Sequence, residues 1–157
     1  MPNQTMATIA KEARKKVLEL IYKAQTSHIG SNFSAIDIMA VLFEKADLKI
    51  DEVILSAGWK AAAWYYFLWR KGIITEEELK SFCQEGSKFI GLTEPMNRFG
   101  LRFAGGSMGF GLPAAVGFAL SKKLKGEDGR VYVLMSDGEL QCGTTWESTL
   151  IAQQYDL

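Results

Sequence analysis

Apolar side chains recur along this chain with two different periods, and the change from one to the other maps its elements. From Thr8 to about Gln25, Ile9, Ala13, Val17, Leu20, Ile21 and Ala24 fall three or four residues apart with Lys, Arg and Glu between them. That spacing predicts an amphipathic helix with one packed and one wet face. Ser34-Ala35-Ile36-Asp37 has the spacing of a capping box, with Asp where Glu is usual, and predicts a second, apolar helix from there to about Ala46. The polar run Ser27 to Asn32 is then the loop between the two helices. Val53-Ile54-Leu55-Ser56 reads as a short strand, followed by Gly58 and a helical stretch to Lys71 that stops at Gly72. Within that stretch Ala61 to Trp69 has no charged face, which predicts a buried helix; it is too short to span a bilayer. Thr75 and Glu78 form another capping box, opening a small acidic helix to about Cys83. Residues 85–101 carry Gly, Pro, Asn and Thr without periodicity and read as a long surface loop.

The second half opens on Gly105-Gly106-Ser107-Met108-Gly109-Phe110-Gly111-Leu112-Pro113, running into small residues from Ala114 to Leu120. Pro113 suits the first turn of a helix, and the small side chains suit close packing on a sheet. Gly126 to Gly129 make a turn. Val131 to Met135 is a continuous apolar run, as expected of a central parallel strand, and places Ser136-Asp137-Gly138 at its carboxyl end. A last helix covers about Thr145 to Gln154. Strands separated by helices predict an α/β fold with a mostly parallel sheet flanked by helices, whose ligands gather beyond the strands' carboxyl ends.

Composition narrows what such a fold is for. With 157 residues, 48% of them hydrophobic, the chain fits one domain spanning 1–157 with a real core. Eighteen basic and eighteen acidic side chains cancel and form no long like-charge block, so neither nucleic acid nor a membrane surface is an expected partner. Cys83 and Cys142 lack the spacing of a zinc site or disulfide framework, and the charged N-terminal helix is no signal peptide; a cytoplasmic protein is expected. Three features could carry chemistry. The glycines from 105 to 111 let a backbone approach a ligand closely, though packing alone can demand such a turn. Asp137 beside Gly138 at a strand end could hold a hard cation bridging to phosphate, or could cap the next turn. His28, the single histidine, lies in a polar loop and is either functional or a plain surface residue.

The order of these features resembles the N-terminal, diphosphate-binding region of transketolase. Ser27-His28-Ile29-Gly30 with Ser34-Ala35-Ile36-Asp37-Ile38 is similar to the family's G-H-x-G…S-x-x-D-[IL]. Val53 to Ala62 resembles F-I-L-S-K-G-H-A-A. Gly106-Ser107-Met108-Gly109-Phe110-Gly111-Leu112 resembles G-[SP]-L-G-Q-G-L, and Ser136-Asp137-Gly138-Glu139-Leu140-Gln141-Cys142-Gly143 with Trp146-Glu147 resembles G-D-G-E-x-x-E-G…W-E. The resemblance implies the thiamine-diphosphate-binding fold with thiamine diphosphate and Mg²⁺ as cofactors. It makes Asp137 the metal ligand, Gly138 a diphosphate contact, Gly106 and Met108 supports of the aminopyrimidine ring, and His28 the catalytic residue facing the substrate. The expected activity is transfer of a two-carbon ketol unit from a ketose-type donor to an aldehyde acceptor.

Departures from the pattern bear on that expectation. The histidine of G-H-A-A is Trp59 and that of the family's G-H-P turn is Leu92, which removes hydroxyl-binding groups and keeps a 2-keto acid decarboxylase or carboligase open as an alternative. The first Gly of G-D-G is Ser136, a mild change if the backbone there has negative φ, and the family's relay carboxylate is Cys142. The family's Asn metal ligand and its catalytic Glu fall beyond Leu157, so the fold is expected to be incomplete at its C-terminus. The expected partner is a chain carrying the pyrimidine-binding domain, in a hetero-oligomer built on a dimer. A non-catalytic structural module of a split enzyme is the reading from outside enzymology.

Overall fold

The computed structural model describes residues 5–96 and 102–157, so that 97–101 of the segment read as a loop lie outside the described residues. The chain forms two compact units: one takes in the residues up to Ala46 together with Trp59–Leu92, the other Asp47–Gly58 together with Thr93–Leu157.

The first unit is helical. Helix α1 (Met6–Ala24) opens on Thr5, whose hydroxyl accepts the Thr8 N–H, and closes at Gln25 in the left-handed conformation. Of the residues the periodicity selects, Ile9, Ala13, Val17, Leu20 and Ile21 are buried while Ala24 is part-exposed, and Ala10 is buried in addition. Helix α3 (Ala61–Arg70) is buried from Ala61 through Leu68, as its lack of a polar face predicts. Phe43 of α2 (Ile29–Lys45) meets Trp64 edge-on at 4.9 Å and stacks on Phe67 at 5.3 Å. Such pairs each add about 0.5–1.5 kcal/mol beyond the area they bury. The Thr75 and Glu78 capping box is present in both halves and opens α4 (Glu76–Lys80), which ends three residues before the expected Cys83.

Helix α2 differs from expectation at its start. It begins at Ile29, five residues before the predicted Ser34 cap, and most of the supposed loop is its first turn. The reason lies in the side chains. Ser34 turns its hydroxyl back to the Ser31 carbonyl at 2.9 Å, and Asp37 pairs with Arg14, so neither is left to cap. His28 adopts φ 76°, and its carbonyl accepts the first helical bond from the Asn32 N–H at 3.1 Å.

In the second unit, β1 (Glu52–Leu55) and β2 (Val131–Leu134) pair in parallel, Glu52 opposite Val131 through Leu55 opposite Leu134. Helix α5 (Gly111–Lys125) packs on both strands and α6 (Gly143–Gln154) packs on α5. Gly126, left-handed at φ 66°, ends α5 where the turn was expected. The apolar run of β2 predicts a strand buried on both sides. Among the described residues β2 pairs only with β1, and Val131, Tyr132 and Val133 remain part-exposed. Between β2 and α6 the chain makes a 3₁₀ turn, Asp137–Gln141, that the apolar periodicity does not announce. Among the described residues no helix is long and apolar enough to cross a membrane.

Candidate functional site

The carboxyl ends of β1 and β2 lie side by side, and the glycine-rich turn runs across them. Gly105 N–H donates to the Thr93 carbonyl at 3.1 Å, and Gly106 N–H to the Ser56 carbonyl at 3.1 Å. The approach is so close that a Cβ on Gly105 would fall 2.1 Å from the Leu55 carbonyl oxygen. Gly109 sits at φ 80°, and a side chain there would strike Thr144 Oγ1 and Cys142 at the start of α6. Thr144 returns a bond from its hydroxyl to the Gly109 carbonyl at 2.7 Å.

One side chain is common to all three segments. Glu139, fully buried in the 3₁₀ turn, accepts the Ser56 hydroxyl and the Gly109 N–H (3.2 Å) on Oε1. On Oε2 it accepts the Ser136 N–H at 2.7 Å and the Ser136 hydroxyl at 3.1 Å. Ser56 in turn accepts the Gly111 N–H at 3.1 Å. Four donors match the four lone-pair positions of a carboxylate, which is how such a group tolerates full burial. Ser136 has φ −100°, an extended backbone open to any residue, so a glycine is not needed there, and its hydroxyl is one of the four donors.

The glycines of the turn are expected either to let the backbone approach a ligand closely or to meet a packing demand. The N–H groups of Gly105, Gly106, Gly109, Phe110 and Gly111 are spent on protein acceptors. What the turn offers outward is side chain: Met108 and Phe110 are exposed. Met108 lies against Gly138, since a Cβ there would be 3.5 Å from Met108 Sδ. The residues expected at a cofactor therefore divide as follows. Gly106, Met108, Asp137 and Gly138 fall in the second unit, with Met108 and Gly138 in contact and Asp137 exposed at the first position of the 3₁₀ turn.

His28 belongs to the first unit. It is exposed, its Nδ1 is 3.1 Å from Ser27 Oγ, and it makes no side-chain cap bond to the helix it starts. Its left-handed backbone is held from behind by Asn32, which is buried. The Asn32 amide donates to the carbonyls of His28 (2.8 Å) and Trp59 (3.1 Å) and accepts the Ala63 N–H (2.8 Å). Lys60, also buried, reaches the Ser31 carbonyl at 3.0 Å. Asn32, Ser56 and Glu139 were given no role by sequence reasoning. The Ser136-x-x-Glu139 spacing is a capping-box signal that could have marked the last of these. Thr93, beside Gly105, buries its hydroxyl with no partner among the described residues.

A parallel α/β unit with a glycine-rich crossing and an exposed carboxylate at a strand's carboxyl end has these features where proteins of that class gather their ligands. The family model "Transketolase, thiamine diphosphate binding domain" matches residues 5–157, and the chain belongs to that family. It is 30% identical over 166 residues to a subunit of the apulose-4-phosphate transketolase of Phocaeicola vulgatus, covering 100% of this chain and 59% of that protein. To the subunit of the same name from Actinobacillus succinogenes it is 34% identical, covering 94% of this chain and 57% of the relative. The chain thus spans less than two thirds of these curated relatives. The crystal structure of transketolase from Campylobacter jejuni superposes with a TM-score of 0.89 at 30% identity, over 99% of this chain and 27% of that one. The resemblance read from the motifs and the fold class it implied are both borne out.

Proposed function

We propose that this chain is the diphosphate- and Mg²⁺-binding component of a transketolase-like enzyme that moves a two-carbon ketol unit from a ketose-type donor to an aldehyde acceptor. The observation that carries the reading is the exposed Asp137 carboxylate at the end of β2, next to Gly138 and the Met108 side chain, in a chain matched by the family along its described length. Among the described residues no three His, Cys, Asp or Glu side chains cluster as a metal cage. Mg²⁺ is commonly held by one or two carboxylates plus phosphate oxygens and water, and Asp137 would supply one such carboxylate. In this reading Asp137 is the metal ligand and Gly138 admits the diphosphate without a side chain in the way. Gly106 and Met108 support the aminopyrimidine ring, and His28 donates a hydrogen bond or moves a proton at the substrate. The bound cofactor supplies the nucleophilic carbon, and the protein supplies orientation and electrostatics.

Relatives that are themselves named as single subunits of a transketolase support a second chain, and we place the pyrimidine-binding domain there, in a hetero-oligomer built on a dimer. Trp59 and the exposed Leu92, where the family has histidines, favour a second reading: a donor with fewer hydroxyls, such as a 2-keto acid. Calorimetry of thiamine diphosphate with Mg²⁺ and with EDTA, on the wild type and Asp137→Ala, alone and with a co-encoded partner chain, tests the proposal. Binding that needs both Mg²⁺ and Asp137 is expected; no binding even with the partner would leave a structural module.

A further inference from the structure

We propose that Glu139 is a positioning residue, whose buried carboxylate sets the glycine-rich turn in place against the Ser136-Asp137-Gly138 segment. The inference deepens the cofactor reading above and rests on it for the identity of the ligand. Its basis is the pattern of donors. One oxygen takes the turn, through the Gly109 N–H directly and through the Ser56 hydroxyl, which itself receives the Gly111 N–H. The other oxygen takes the end of β2, through the Ser136 N–H and hydroxyl. A single group thus spaces Met108, which directly precedes the anchored Gly109, from Asp137, which directly follows the anchored Ser136. The Glu139 carbonyl extends the link to α6 by accepting the Thr145 hydroxyl at 2.7 Å.

A carboxylate suits this task better than its amide. Every group facing it is a donor, and only a carboxylate accepts at both oxygens. Glu139→Gln keeps the shape and turns one acceptor into a donor, so either the Gly109 side or the Ser136 side loses its bond. Glu139 stands away from the exposed surface, which separates its role from that of Asp137: it touches no ligand and acts through the loops it joins.

The test uses the uniformly ¹⁵N-labelled chain, as wild type, Glu139→Gln and Ser56→Ala. Amide hydrogen exchange is read without cofactor, and thiamine diphosphate binding with Mg²⁺ is read by calorimetry well below each melting midpoint. In Glu139→Gln the Gly109 or Ser136 amide is expected to exchange at least about tenfold faster, and affinity to fall about ten- to hundredfold, the scale of a lost hydrogen bond to a charged group. Ser56→Ala is expected to free the Gly111 amide and weaken binding by about tenfold or less. Unchanged exchange at both Gly109 and Ser136 in Glu139→Gln overturns the proposal. So does loosened exchange with wild-type affinity, which reduces Glu139 to a stabilising residue. If Glu139→Gln does not fold, Ser56→Ala decides on the same two readouts. A wild type that binds no cofactor defeats the reading of the previous section, while exchange alone still decides whether Glu139 holds the turn.

Discussion

Gly111 and Gly117 lie in the same helix, and the same substitution is expected to act on them with opposite sign. Gly117 is exposed, and a Cβ there meets nothing within 4 Å. Gly117→Ala should therefore stabilise by about 0.5–1 kcal/mol through backbone entropy alone. A Cβ on Gly111 would fall 2.2 Å from both Cβ and Oγ of Ser56 and 2.8 Å from its Cα. Ser56 is fully buried. Overpacking of this kind costs about 1–3 kcal/mol. Displacing the hydroxyl also breaks its bond to the Glu139 carboxylate, about 1.5–3 kcal/mol. After the helix gain is subtracted, Gly111→Ala should lose roughly 2–5 kcal/mol. For a chain of this size each kcal/mol moves the melting midpoint by about 2–4 °C. Thermal unfolding followed by circular dichroism should then show Gly117→Ala melting slightly above wild type and Gly111→Ala far below it. Midpoints that move together, or a Gly111→Ala midpoint within a degree or two of wild type, would show that the contact between α5 and the end of β1 is not the constraint described here.

Three further outcomes follow from single side chains. Asn32→Ala strands the Ala63 N–H and releases the carbonyls of His28 and Trp59; a loss of about 2–3 kcal/mol is expected in urea unfolding, and a neutral variant contradicts the assigned bonds. Thr93→Val removes a buried hydroxyl that has no partner among the described residues, so the midpoint should hold or rise by the equivalent of about 1 kcal/mol, and a clear fall would reveal a partner. The hydrogen bond from Lys16 holds the Glu76 carboxyl below its ordinary range against the opposing effect of burial. Because the folded value is the lower one, this stabilisation is complete above the unfolded carboxylate range and is lost as pH falls through the folded value. Stability of Lys16→Met measured from neutral pH into acid should accordingly fall less steeply than that of wild type, and parallel curves would remove the pair from the account.

The fold was legible where one kind of signal dominated. The spacing of Ile9, Ala13, Val17 and Leu20 left only a helix face, and the Thr75 and Glu78 box opened α4 as expected. The start of α2 was not legible, because Ser34 and Asp37 have the chemistry of a cap but find other partners, Ser31 and Arg14, that only the folded helix brings near. The Asp137–Gln141 turn escaped for the opposite reason. Ser136 and Glu139 do form a capping box, yet a family motif drew attention to Asp137 and Gly138 in the same six residues. Two of the donors around Glu139 come from Ser56 and Gly109, and no local pattern links residues that far from it in the chain. Sequence order could therefore identify the segments of the candidate site but not the group that joins them.

The interleaved make-up of the two units has a consequence for the birth of the protein. Residues 47–58 leave the helical unit and return to it with Trp59, and their strand partner begins only at Val131. On the ribosome the helical unit is complete once Leu92 has emerged, while Val53-Ile54-Leu55 still waits with its hydrogen-bonding edges unclaimed. At ordinary translation rates that interval lasts roughly 2–8 s. Through that interval the chain carries an apolar segment whose strand partner has not yet been made, the kind of open edge at which another chain can pair.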